Sequence, residues 1–295
     1  KWINIDEFDK PAASFLKKNF HIHPLDVKDC FETNQHPKVD SYPDYLFIIL
    51  NFPEYDPKTK KVVTNELDVF IGKDYLVTVQ KKRFKALKNC FYKCAKVEKT
   101  RESYFGNSSV YLLYKIVDEL FRASSSVINN VSLEIDKIEN QLFEQKISKT
   151  MFIELSQVRR NILNFKSIID PQRFTINNLV HSKSNFFPKE SSIYFDDIHD
   201  WIEQVWVRLN NYLDILDNLN DMNQSIISNK TNEVIKVLTV ISVGLLPLTL
   251  LSGIYGMNIE GLPWIHTPAV VASMFGILLG VIIVTLLILK KKNWL

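Results

Sequence analysis

A chain of 295 residues is long enough for a folded soluble domain with membrane segments besides, and a formal net charge of +3 gives no reason to expect a nucleic-acid partner. Three cysteines, Cys30, Cys90 and Cys94, lack the spacing of a disulfide framework and are expected as free thiols in a reducing compartment. There is no Walker loop, no strand-borne G-x-G-x-x-G and no H-E-x-x-H, which removes the nucleotide-binding and metalloprotease classes and leaves an enzyme little support.

Residues 2–6 read as a short strand, and 7–20 as a helix with Phe8, Ala12, Phe15 and Leu16 on one face. Two further runs, 45–52 and 67–71, are strand-like, and Gly72-Lys73-Asp74 turns the second into 75–79 as a hairpin. Together they make residues 1–102 an α/β domain. His21 and His23 have no third partner and read as structural. Residues 81–101 are strongly basic, either a solvated helix face or a contact for an acidic neighbour or lipid head groups. Cys90 and Cys94 lie one helical turn apart, but no further Cys or His stands near them to complete a zinc site.

Apolar residues from Leu113 through Val117, Leu120, Val127, Val131, Ile135 and Ile138 to Leu142 step by three and four, the mark of a long helix with one buried stripe. Met151, Leu155, Val158, Ile162, Phe165 and Ile169 repeat the pattern after a polar break at 145–149, so residues 103–187 form a helical hairpin whose second arm Pro171 perturbs. A Ser-, Asn- and Pro-containing loop at 181–192 follows. Then Ile198, Ile202, Val205, Leu209, Tyr212, Leu216 and Leu219 form a heptad seam along a stalk at 188–236. No proline interrupts the chain before Pro247, which predicts one helix over 192–256, on the order of 95 Å long.

Residues 237–259 carry no charge, and as helix they cross a hydrocarbon core of about 30 Å. Small and polar residues recur along this stretch at helical spacing: Asn232, Thr239, Ser242, Thr249, Gly253 and Gly256, continued through Ile235 and Leu246 and back to Asp221. One stripe is fit to meet water or another helix, and both readings stay open on the spacing alone. The membrane segments are a first span at 237–256, a loop at 257–268, a second span at 269–289 and a basic tail at 290–295. Lysines follow the second span at once and the loop has none, which predicts a multi-pass cell-membrane protein with both termini cytoplasmic.

The sequence Tyr255-Gly256-Met257-Asn258 with Pro263 beyond it, the upstream segment SNKTNEV, the tail Lys290-Lys291-Lys292-Asn293-Trp294-Leu295, and Ile22-His23-Pro24-Leu25 with Gln35-His36-Pro37-Lys38-Val39 closely resemble the CorA family of magnesium and cobalt channels. The resemblance covers most of the chain. It implies an α+β membrane protein, with an N-terminal cytosolic α/β domain, a helical hairpin and a stalk helix continuing into the first of two transmembrane helices, assembled in the bilayer as a funnel-shaped homopentamer. Mg²⁺ is then both cargo and regulator, with Co²⁺ and Ni²⁺ as further cargo. Neither nucleic acid nor nucleotide is a partner.

On that resemblance Gly256, Met257 and Asn258 form a selectivity filter, whose carbonyls and amide oxygens would accept hydrogen bonds from the waters of a hydrated ion. Asp221, Asn232, Ile235, Leu238, Thr239, Ser242, Leu246, Thr249 and Gly253 line the pore, and the bulky Ile235, Leu238 and Leu246 mark its narrowest part. Asp29 and Asp197 match acidic positions that bind regulatory Mg²⁺ between neighbouring subunits, although Lys28 stands where other members can carry an acid. Two other readings compete: a membrane-anchored coiled-coil scaffold or signalling protein, and a zinc-transporting relative, against which the intact Gly256-Met257-Asn258 argues.

Overall fold

The computed structural model describes residues 1–33, 35–81, 84–106, 108–144, 150–180, 187, 191–257 and 267–291. The chain divides into two compact units, Lys1–Asn220 and Asp221–Leu295.

The first unit is built on a five-stranded sheet in the order β1-β5-β4-β3-β2. Its strands are β1 (Trp2–Ile5), β2 (Lys38–Ser41), β3 (Tyr45–Asp56), β4 (Lys61–Gly72) and β5 (Leu76–Gln80). β1 pairs parallel to β5 and every other neighbour is antiparallel. The expected hairpin at Gly72 is present: the Gly72 N–H donates to the Tyr75 carbonyl at 3.0 Å. A Cβ on Gly72 would fall 2.3 Å from the Tyr75 ring, so only glycine lets that ring fold back over the turn.

β3 and β4 are longer than their apolar cores suggested, each running 12 residues in unbroken register from Tyr45↔Gly72 to Asp56↔Lys61. Pro53 is tolerated because β2 covers only Leu46 to Ile49 of β3, leaving the proline side without a ladder to break. Asp56 closes the tip by accepting from the Lys58 N–H at 3.0 Å and the Thr59 hydroxyl at 2.7 Å.

β3 is buried on both faces. Tyr45, Phe47 and Ile49 pack under α1 (Lys10–Phe20) and α2 (Pro24–Asp29) with Leu16, Ile22, Val27 and Cys30. The alternate residues Leu46, Ile48, Leu50 and Phe52, also fully buried, meet the long helices α5 (Ser109–Phe143) and α6 (Met151–Val180). Phe52 stacks on Phe121 at 4.8 Å. α1 begins at Lys10, not residue 7, because Asp9 caps it by accepting the Ala12 N–H at 2.8 Å. His21 is the left-handed residue ending α1 and His23 caps α2, so both histidines are structural.

The predicted stripe of α5 is buried along its length, and Ser108 caps the helix. α6 does not stop at Pro171 but continues to Val180, losing the one hydrogen bond that the proline nitrogen cannot give to Ser167. Its inward amides hold the sheet. Gln172 accepts the Asn51 N–H at 3.1 Å and Asn161 accepts the Val62 N–H at 3.1 Å, both across more than ninety residues of chain. The polar break at 145–149 and most of the loop at 181–192 lie outside the described residues.

α7 spans Ser192–Gly256 as one helix of 65 residues. Its first part belongs to this unit, with Phe195, Ile198, Ile202, Val205, Leu209, Leu216 and Leu219 buried and Tyr212 half-buried. Trp201 packs on Phe121 at 5.2 Å, and Arg173 of α6 grips Glu203 at 2.9 Å while lying over Trp206.

The second unit holds the rest of α7 and helix α8 (Pro268–Lys291). Both helices are long and apolar enough to cross a membrane, and none of their most apolar windows is buried inside the chain. A core helix of a soluble protein would be buried; these leave Val234, Leu246, Leu250 and Ile277 more than 60% exposed. Pro247 sits inside α7 and frees the carbonyl of Val243.

Candidate functional site

α8 covers one face of α7 only. The half-buried residues Val240, Gly244, Pro247, Leu248, Leu251 and Tyr255 step at helical spacing along one face of α7. Gly244 lets the two helices approach, since a Cβ there would meet Ile282 Cγ2 at 3.5 Å, and the Tyr255 hydroxyl reaches Met274 Sδ at 3.7 Å. At 100° per residue, Ser242, Leu246, Thr249 and Gly253 fall on the opposite side and stay exposed. Nearer the start of the span, Asn232, Ile235 and Thr239 rim a groove of about 560 Å³ between α7 and α8, together with Lys236 and Thr285.

The stripe's hydroxyls are aimed by the helix itself. Thr239 donates to the Ile235 carbonyl at 2.8 Å and Thr249 to the Leu245 carbonyl at 2.9 Å. Each hydroxyl proton is spent on the backbone, so the oxygen offers outward only lone pairs, which suit the protons of a cation's water shell. No acidic residue stands between Glu233 and Glu260, so nothing along this stretch would hold a divalent ion tightly. Leu246 lies within the stripe, whereas Leu238 sits about 100° round from Thr239, at its margin. Gly256 and Met257 end α7 exposed; Asn258, the third filter residue, lies outside the described residues.

The two carboxylates expected to sense Mg²⁺ are on opposite sides of the sheet. Asp29 ends α2, which packs on the face of Tyr45 and Phe47, while Asp197 is exposed on α7, which packs on the helices covering the other face. Asp197 accepts a hydrogen bond from the Tyr114 hydroxyl at 3.5 Å. One chain therefore cannot place both on one ion, and among the described residues no three His, Cys, Asp or Glu side chains form a metal cluster.

Asp29 is already engaged. Lys38 approaches its Oδ2 at 2.7 Å and that of Asp40 at 2.6 Å. Burial works against the charge on Lys38, but hydrogen bonds to the two aspartates outweigh it and push its pKa up. Lys28 pairs with Glu32 at 3.2 Å. Behind them the buried Lys81 ammonium meets Glu66, stands 3.5 Å from Asp68 and donates to the Asp29 carbonyl at 2.9 Å. Burial raises the Asp68 carboxyl to about 7, with Glu66 adding to the rise and Lys81 opposing it. The sequence reading missed Lys38 as Asp29's partner because they belong to different elements. The available signal was Lys38 and Asp40 two apart, hence on one side of a strand.

The cysteines are free and buried. Contact with Cys94 and burial push the Cys90 thiol up, and the same contact holds Cys94 down. The basic stretch forms α3 (Lys85–Lys96) and α4 (Glu98–Phe105), with Leu87, Cys90 and Cys94 inward and Lys85, Lys93, Lys96 and Lys99 exposed, the solvated-face arrangement.

Two lipid-length apolar helices, a polar stripe along the first and an α/β unit ahead of them are the plan of a membrane protein with two spans. The sequence profile of the CorA-like Mg²⁺ transporter proteins matches residues 1–291, and the chain belongs to the CorA family, a family of transporters and not of enzymes. It is 30% identical over 302 residues to the cobalt/magnesium transport protein CorA of Thermotoga maritima, an alignment covering all of this chain and 83% of that one. It is 25% identical to the putative metal ion transporter YfjQ of Bacillus subtilis, covering 99% of this chain and 89% of the relative. The complete CorA magnesium transporter structure of Methanocaldococcus jannaschii superposes with a TM-score of 0.86 at 22% identity, covering all of this chain and 91% of that one, which shows the shared fold. The cytoplasmic domain of ZntB from Vibrio parahaemolyticus shares the fold more loosely, with a TM-score of 0.58 at 17% identity over 78% of this chain and 88% of that one.

Proposed function

We propose that this CorA-family transporter is a passive divalent-cation channel, taking up Mg²⁺, with Co²⁺ and Ni²⁺ as further cargo, as a homopentamer whose five α7 helices surround the path. The observation that carries this reading is the position of α8, which packs away from Ser242, Leu246, Thr249 and Gly253 and leaves a stripe that is exposed among the described residues. A ring of such stripes would give a lumen of neutral acceptors.

Hydrated Mg²⁺ suits such a lumen because it sheds its waters reluctantly. Gly256, Met257 and Asn258 at the outer mouth would select the hydrated ion through hydrogen bonds to its waters, weakly enough for it to leave again. Ile235, Leu238 and Leu246 interrupt the stripe with apolar bulk and would gate by excluding water. Both termini are cytoplasmic in this reading, and inside-negative potential supplies about 2.3 kcal/mol per charge per 100 mV, with no nucleotide needed. Cytosolic Mg²⁺ would close the channel by joining Asp29 of one subunit to Asp197 of the next. The sheet standing between these residues within one chain is why two chains are required.

The test is Mg²⁺ flux into liposomes containing only this protein. Uptake is expected to rise with imposed inside-negative potential and to need no nucleotide. Absence of flux at every potential and Mg²⁺ concentration would replace the channel by a membrane-anchored scaffold whose stripe only packs helices.

A further inference from the structure

The basic stretch is not wholly a solvated face. Lys85, Asn89 and Lys93 step by four along α3 and line a cleft of about 640 Å³, within the roughly 300–1,000 Å³ range of small-ligand sites. α5 contributes Glu119, Ala123 and Asn130 to it, and β3 contributes Pro53, Glu54 and Tyr55. The apolar Phe84, Leu120 and Val127, none more than 4% exposed, also line it.

The walls are held independently of any ligand. α3 is anchored through the buried Leu87, Cys90 and Cys94, and the Phe84 N–H just before it donates to Gln80 Oε1 at 3.0 Å. The Phe84 ring packs on Phe52 at 5.6 Å, and the Tyr55 hydroxyl donates to Glu134 of α5 at 3.1 Å.

The cleft leaves a particular set of polar groups unspent. Among the described residues Lys85, Asn89 and Asn130 make no hydrogen bond or ion pair, so an ammonium and two amides are free to donate. Glu119 meets Lys93 at 3.2 Å with both side chains exposed, a pair of little strength that an incoming anion can share. Glu54 gives one oxygen to Asn65 and keeps the other as an acceptor.

We propose that this cleft binds a nucleoside monophosphate, with the phosphate at Lys85 and Asn89, the ribose hydroxyls donating to Glu54, and the base against Pro53 and Tyr55. The site goes beyond the channel reading, does not rest on it, and gives the chain a ligand that the family resemblance does not imply. Phosphate oxygens accept, which matches the ammonium and the amide, and ribose hydroxyls donate, which matches the carboxylate. A ligand that is only an anion would meet Glu54 as a like charge, and one that is only a cation would meet Lys85 so. A flat base covers the apolar lining that a sugar phosphate alone would leave wet.

The experiment is calorimetric titration of the full-length protein, in nanodiscs of phosphatidylcholine alone, with AMP, adenosine, ribose 5-phosphate and inorganic phosphate. AMP is expected to bind about tenfold or more tightly than each of the other three. Lys85→Gln should weaken AMP about tenfold, the order of one charge-assisted hydrogen bond, and leave adenosine unmoved. Ala123→Trp should abolish binding by filling the cleft from an exposed position, and Asn89→Leu, which should weaken it, serves if the tryptophan variant fails to fold. Lys96→Gln, exposed on α3 outside the cleft, should change nothing. Three results each overturn the proposal: no AMP binding at millimolar concentration, inorganic phosphate binding as tightly as AMP, or equal losses from Lys85→Gln and Lys96→Gln, the mark of diffuse attraction to a basic helix.

Discussion

The two units solve opposite problems. In Lys1–Asn220 both faces of the sheet are covered and most polar side chains inside are paired, Asp68 being an exception: Gln172 and Asn161 to strand backbone, Lys81 to Glu66, Asp26 to two tyrosines. In Asp221–Leu295 the apolar side chains point outward and the hydroxyls turn back onto their own helix. The first unit therefore holds its stability within one chain, whereas the second leaves its apolar surface to be covered by lipid. A mutation in the first should be read by melting, and one along the stripe by transport.

The largest expected effect is at the motif that ends α7. Asn258→Ala removes one acceptor per subunit from the proposed filter, so Mg²⁺ uptake by proteoliposomes should fall to background while size-exclusion shows unaltered assembly. Uptake at the unsubstituted rate in a correctly assembled protein would remove the filter. In the other unit, Phe52→Ala empties a fully buried position against Phe84 and Phe121 and should cost about 3–5 kcal/mol by denaturant melting. A loss below about 1 kcal/mol would mean that the site collapses around the gap.

Leu246→Ser tests the stripe more finely. Leu246 is 65% exposed and lies away from α8, so the substitution removes little packing within the chain but wets the proposed constriction. Leak at high internal Mg²⁺ should rise severalfold, and less for Leu238→Ser, which sits at the margin of the stripe. Equal leak from both would shift the lumen toward Leu238, and no leak from either would place the gate elsewhere.

Periodicity made the helices legible. The stripe of α5, the seam of α7 and the single helix over 192–256 follow from spacing alone, because a buried face imposes 3.6 on the sequence wherever it lies. The strands were legible only where both faces are buried; the polar half of β4, Lys61 to Asn65, is held by register with β3 and by Asn161, which no local pattern reports. Pro171 reads in the sequence as perturbing the second arm, and α6 runs on through it to Val180, held to β3 through Gln172 despite one missing hydrogen bond. The polar stripe was readable because it lies on one helix. The lysine bound to Asp29 was not, because three elements meet there.

The smallest effect separates the units by pH. Asp68 is fully buried, both its carboxylate oxygens lack a hydrogen-bond partner, and burial lifts its pKa from 3.8 to about 7. The folded protein therefore keeps this proton where the unfolded chain has lost it. By linkage, stability from this group is greatest below about pH 4, falls as pH rises toward 7, and above 7 the full cost of a buried charge remains. Asp68→Asn is uncharged at every pH and leaves Lys81 its contacts with Glu66 and the Asp29 carbonyl. The variant should flatten the decline in Tm between pH 5 and 8 and gain on the order of 1–3 kcal/mol above pH 7, relative to the unsubstituted protein. Transport along α7, which has no acidic residue between Glu233 and Glu260, should keep its pH dependence. If the Tm slope persists in Asp68→Asn, Lys81 holds Asp68 ionised across the whole range, and the pair acts as a buried ion pair in place of a proton store.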